Sequence, residues 1–177
     1  SCFITNCFNL RPKGNDIETL CSKLPAGGLP SIRPGKYLEA KYLPEIARLK
    51  DELRAAQPNL IVALGNTACW ALLGTSGISK IRGTVASSLF AGGVKTIPTY
   101  HPAAILRQWE LRAVTVLDLR KAERESHFPE IRRPQRRVRI DPSLRDLEDF
   151  YNEFILPARF LAFDIETAGR QITCISF

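Results

Sequence analysis

The sequence has no methionine, only two histidines and two tryptophans, and no pair of cysteines at CxxC spacing. Its five cysteines, Cys2, Cys7, Cys21, Cys69 and Cys174, are odd in number and scattered, which argues against a disulfide framework and against a thiolate metal centre. A reducing, cytoplasmic setting fits that usage. No apolar run approaches the length of a membrane span, and no basic-then-apolar segment opens the chain, so neither a membrane partner nor export is expected. Acid is in short supply too. Against 25 Lys and Arg stand 18 Asp and Glu, a net charge of +7, and a polyanion is the partner this balance favours.

What is present is globular: 177 residues with 45% hydrophobic content, enough for one core and part of another. Both ends fall in strand-like runs, CFITNCF and ITCISF, which reads as a piece of a longer polypeptide because lone strands expose unpaired backbone groups. Phe3 to Phe8 is apolar enough for a buried strand, and Leu10 to Gly35, with its prolines and glycines, reads as a long loop. Leu43, Ile46, Leu49 and Leu53 recur at helical spacing, with Pro44 tolerable only in the first turn. The run LIVALG, then NTACWALLG, predicts a strand, a tight turn and a helix that Asn66 caps and Gly74 ends. A short strand is expected near Val85 to Phe90 and a central one over Val94 to Tyr100, followed by a broken helix from Pro102 through Ala122.

Apolar strands alternating with helices predict a three-layer α/β/α sandwich around a parallel sheet, over residues 1–124. An Arg- and Pro-rich linker follows over 125–141; its Arg132 to Arg139 run reads either as an extended tether or as a DNA-binding arm. A second domain is expected over 142–177, with a helix after Asp141, Pro142 in its first turn, and the strands RFLAFDIET and ITCISF paired as a hairpin. Within the first domain one placement stands out. His101 lies where a strand meets a helix, and carboxyl ends of strands are where open α/β sheets place their chemistry.

The ordered segments FITNCFNLRP, QPNLIVALGNTACWALLG, ISKIRGTV, VKTIPTYHPAAILR and VTVLDLRKA resemble the uracil-DNA glycosylase superfamily, most nearly its family-4 branch, across residues 3–122. The resemblance implies a uracil pocket at the strands' carboxyl ends and uracil-containing DNA as the partner. Cleaving the N-glycosidic bond generates a uracil anion, so a site must stabilise charge on a base carbonyl oxygen. His101 matches the family's catalytic histidine, and a neutral imidazole donor suffices for that role. Asn6 matches the uracil-reading asparagine, whose amide complements the base edge; read alone, it caps a turn. Ile105 and Leu106 match the loop that fills the gap left by a flipped base, or else form the buried face of a helix. Arg107, Lys80 and Arg82 are placed to hold flanking phosphates; read alone, Lys80 and Arg82 form a solvated face.

Two departures accompany the resemblance. Family-4 enzymes carry a four-cysteine iron-sulfur cluster, yet Leu10 and Lys41 stand where two ligands belong, and Cys7 and Cys21 do not restore the pattern, so no cluster is expected. The family's Gly-rich first motif, with its water-activating acid, lies upstream of a TN-type strand and falls outside the 177 residues, together with a first strand of the sheet.

FLAFDIETAG resembles the first motif of DEDD-type 3′–5′ exonucleases, as in family-A DNA polymerases, and implies the first strands of an RNase H-like domain. Asp164 and Glu166, two apart on a strand, share a face and can share Mg2+ or Mn2+. Such a glycosylase–exonuclease fusion resembles phage-type replication polymerases, with the module here monomeric and covalently joined to the polymerase. Three functions follow: uracil excision, proofreading with a DNA-holding accessory module, or a glycosylase-derived binding domain without catalysis.

Overall fold

The computed structural model describes residues 2–133, 140–169 and 171–176. The chain forms two compact units, Ser1–Arg132 and Arg133–Phe177. Most of the arginine-rich run, residues 134–139, lies outside the described residues, and with it the choice between tether and DNA arm.

The first unit opens with a segment that does not pair. Residues 3–8 form no strand, contrary to expectation, and Phe3 and Ile4 are exposed. Apolar character favours a pleated surface, but a strand exists only where another supplies its ladder. Side chains hold this segment instead. The Thr5 hydroxyl donates to Glu52, and the Arg48 guanidinium donates to the carbonyl oxygens of Asn6 at 2.8 Å and Cys7 at 3.4 Å.

The loop after it is more ordered than its composition predicts. Asp16 caps a 3-10 turn, Ile17–Leu20, by accepting from the Glu18 amide, and β1 (Cys21–Ser22) pairs antiparallel with β2 (Tyr37–Leu38). Helix α1 (Leu43–Ala56) keeps Pro44 in its first turn and buries Ile46, Leu49 and Leu53, the expected stripe. Strand β3 (Ile61–Leu64) feeds directly into α2 (Gly65–Leu73), which Gly74 ends at φ 69°. Asn66 lies inside α2 rather than capping it; its side-chain oxygen accepts from the Gly77 and Ile78 amides at the start of α3 (Ile78–Ile81).

Strands β3, β4 (Ala86–Ser87) and β5 (Lys95–Thr99) form one sheet in the order β3-β5-β4. β3 runs parallel to β5, but β4 is antiparallel to it, so the sheet is mixed rather than wholly parallel. The reason is the connection. Residues 88–94 make a short turn, which can join antiparallel neighbours, whereas a parallel return needs a crossover of about a dozen residues. All five positions of β5 are buried. Lys95 and Thr99, on one face, bond to α5 (Leu111–Glu125), while the core built by Ala63 of β3, Trp70 of α2 and Leu49 of α1 gathers separately. Trp70 donates from Nε1 to the Pro30 carbonyl at 2.9 Å and stacks on Phe8. Truncating so buried an indole to alanine costs about 3–5 kcal/mol.

The expected long helix breaks into α4 (Pro102–Arg107) and α5. At the end of α5, buried Lys95 donates to Glu125 Oε2 at 3.0 Å and to the carbonyls of Phe128 at 2.7 Å and Glu130 at 3.0 Å. The residues following the helix are therefore tied back to the sheet. Among the described residues no helix is long and apolar enough to cross a membrane.

The second unit starts with α6 (Leu144–Phe150), capped reciprocally by Ser143 and Asp146; Pro142 precedes the cap instead of occupying the first turn. A π-helical turn, Tyr151–Ile155, follows, then the antiparallel pair β6 (Asp164–Ala168) and β7 (Gln171–Ser176), joined through Gly169 at φ 63°. Many of the unit's apolar side chains, including Phe160, Phe163 and Leu144, are exposed.

Candidate functional site

His101 is the second of the two residues between β5 and α4, and it is the N-cap of α4. Its Nδ1 accepts from the Ala103 amide at 3.1 Å. A backbone N–H can donate only to a lone pair, so the ring proton sits on Nε2 and that N–H is offered outward from an exposed ring. A second element fixes the ring's position. Gly65, at the end of β3, has φ 83°, and a Cβ built there meets His101 Cβ at 3.1 Å. Glycine is required at that point both for its backbone conformation and for its lack of a side chain.

Beneath the histidine lies a network that sequence reasoning missed. Asp118 of α5, with a side chain only 5% exposed, accepts from Arg82 Nε at 2.9 Å and from the second terminal nitrogen at 2.6 Å. It also accepts from the Thr99 hydroxyl at 2.7 Å, two residues before His101. Arg82 donates further to the Val114 carbonyl, and Lys121 donates to the Gly83 carbonyl. Gly83, at φ 71°, leaves no room for a side chain, since a Cβ there comes within 2.5 Å of Asp118 Oδ1. The arrangement clamps α5 to the carboxyl end of β5. The sequence carried one signal for it, a lone acid, Asp118, among the apolar residues of VTVLDLRKA, but the buried face is Thr115, Asp118 and Ala122, with Leu117 and Leu119 exposed.

The other predicted residues distribute unevenly. Arg82, read as a phosphate holder, is engaged with Asp118, whereas Lys80 and Arg107 are exposed. Leu106 is 82% exposed and so is not the buried face of a helix; Ile105 is half-buried. Asn6 is exposed, on a coil segment, with its backbone carbonyl held by Arg48. Two surface hollows, one lined by residues such as Leu24 and Lys41, the other by residues such as Arg33 and Asn66, include neither His101 nor Asn6.

Leu10 packs against the core and Lys41 pairs with Glu39 at 2.7 Å, so neither position suits an iron ligand. Burial pushes the Cys7 thiol up to about 11, against a weaker opposing pull from Arg48, and burial likewise pushes Cys69 up to about 11. Among the described residues no group of three or more His, Cys, Asp or Glu is gathered for a metal ion, and these residues do not fit a four-cysteine cluster. Asp164 and Glu166 are both exposed on β6, and the strand's alternation places them on one face.

Comparison with known proteins supplies the context. A segment of 76 residues, 41% of the chain, is 38% identical to the type-4 uracil-DNA glycosylase of Thermotoga maritima, and it covers 38% of that relative's length. Residues 1–131 match the family profile described as Uracil DNA glycosylase superfamily. With more than half of its length inside that match, this chain belongs to the uracil DNA glycosylase superfamily.

Proposed function

We propose that the first unit hydrolyses the N-glycosidic bond of uracil in DNA, with His101 as the donor that stabilises the departing base. The observation that carries this reading is the Nδ1 hydrogen bond from Ala103, which leaves Nε2–H as the outward donor. As the bond to the sugar lengthens, negative charge gathers on a uracil carbonyl oxygen, and a preorganised N–H aimed at that oxygen lowers the barrier without reorientation. Asn6 reads the base edge with its exposed amide, Leu106 with Ile105 fills the space left by the flipped nucleotide, and Lys80 and Arg107 hold flanking phosphates. The family membership and the type-4 relative support the substrate class. Because Leu10 and Lys41 stand where two cluster ligands belong, the reading includes no iron-sulfur cluster: protein purified without visible absorbance or bound iron is the outcome expected, and stoichiometric bound iron overturns that part of it.

The test is uracil release from a labelled single-stranded oligonucleotide, read by alkaline cleavage at the abasic site. His101→Ala is expected to lose about 10²- to 10³-fold in rate, the usual effect of removing one such donor. Release that is unchanged in His101→Ala removes the histidine from the mechanism. No release from folded wild-type protein leaves a DNA-binding module without catalysis.

A second reading concerns the other unit, favoured by the β6–β7 hairpin with Asp164 and Glu166 on one face. It is that residues 142–177 belong to a 3′–5′ exonuclease domain within a replication or repair polypeptide. There these carboxylates would hold Mg2+ or Mn2+, which supplies Lewis-acid stabilisation to a phosphate. Metal-dependent shortening of a DNA 3′ end by the polypeptide carrying that domain, lost in Asp164→Ala, is the expected result; shortening indifferent to Asp164 ends this reading.

A further inference from the structure

The break between α4 and α5 puts a large aromatic side chain in water. Trp109 is 66% exposed, and Leu106, three residues before it in sequence, is 82% exposed, both a short distance along the chain from His101. Tryptophan is seldom left in this state. The turn that carries it is ordered rather than loose: the Leu111 amide donates to the Gln108 carbonyl at 3.1 Å, and the Arg112 amide to the Trp109 carbonyl at 3.0 Å. The Arg112 guanidinium lies over the indole, 5.3 Å from the ring centroid. Arg107 is exposed nearby, and the only acid between Pro102 and Leu117 is Glu110.

An exposed indole on a hydrogen-bonded turn, with a guanidinium over its face, matches single-stranded nucleic acid. Unpaired bases offer flat apolar faces to stack on an aromatic ring, and the phosphates between them pair with the cations. A protein partner would be expected to meet a wider apolar patch with fewer charges at its centre. We propose that Trp109, backed by Arg112, is a stacking platform for an unpaired base of single-stranded DNA, adjacent to the nucleotide presented to His101. This rests on the reading that α4 faces DNA. Its consequence is a preference for single strands, because in a duplex the neighbouring base is already stacked and its faces are not available.

The two tryptophans make the test direct. Trp70 is 1% exposed, so quenching of the long-wavelength tryptophan emission reports on Trp109. The probe is a uracil-free oligothymidine titrated into the full chain, with a duplex of the same length in parallel. Quenching by the single strand and little by the duplex is expected. Trp109→Ala should weaken single-strand affinity roughly 5- to 150-fold, the range that stacking of one base supplies, and Trp109→Phe should retain most of it. Equal affinity in Trp109→Ala, quenching that persists in that variant, or equal response to duplex each overturns the proposal. Uracil release is measured on the same samples. Quenching without release removes the glycosylase reading and leaves the platform, and release without quenching does the reverse.

Discussion

At the residue scale, the weight of the candidate site falls on side chains turned into the fold. His101 is aimed by Gly65 and by its own cap on α4, but the strand end it stands on is held by Asp118 through Thr99. Asp118 receives Arg82 through two nitrogens and is almost wholly buried, while Arg82 keeps about a quarter of its side chain exposed. Removing one partner of such a pair leaves a charge with nothing to offset its lost hydration. Asp118→Ala is therefore expected to lower stability by about 3–5 kcal/mol in a urea titration. Asp118→Asn should lose less, since its amide oxygen still accepts from Thr99. The conservative variant should keep any uracil release in proportion to its folded fraction. Arg82 in this setting ties α5 to the residues around Gly83 from within the fold.

Among elements, the opening segment and the α4–α5 break show how little regular structure the site uses. Residues 3–8 have no strand partner among the described residues, so Asn6 is placed by α1 through Arg48 and, one residue before it, by the Thr5–Glu52 bond. The Thr5 hydroxyl, followed by Arg48, holds the Glu52 carboxyl below its ordinary value near 4.5. A carboxyl depressed in the folded state binds its proton more readily once released, so the tether is fully present above that value and is lost as pH falls below it. Cys7 reports on this directly, being covered in the tethered segment. Labelling by a disulfide reagent that reacts in acid should rise as pH drops through the carboxylate range. In Glu52→Gln it should already be high at neutral pH. A flat labelling profile in the wild type would show that other contacts hold the segment.

For the whole molecule, the excess of cations bears on the proposed DNA partner. A net charge of +7 predicts affinity for DNA that falls linearly on a log–log plot against salt, with a slope near −0.7 for each phosphate neutralised on a single strand. Lys80→Ala and Arg107→Ala should each flatten that slope by about one phosphate, while Arg82→Ala should leave it unchanged, because that charge is satisfied by Asp118. The measurement is oligonucleotide binding between low and moderate salt. An Arg82 variant that flattens the slope as much as the other two would return that residue to the DNA face.

The sequence by itself determined the local units. The runs LIVALG and VKTIPTY, each followed by a helix start, specified β3–α2 and β5–α4, because periodicity, proline and glycine act within a few residues. That also placed His101 at a strand's carboxyl end. Only the tertiary structure decided which partners those units met. Whether Phe3 to Phe8 pairs, which way β4 runs, and that Arg82 turns inward to an acid 36 residues away all depend on what lies opposite in space. Sequence patterns encode which face of an element is apolar; hydrogen-bond ladders and buried ion pairs are made between elements, and the choice among partners is settled only when the chain has packed.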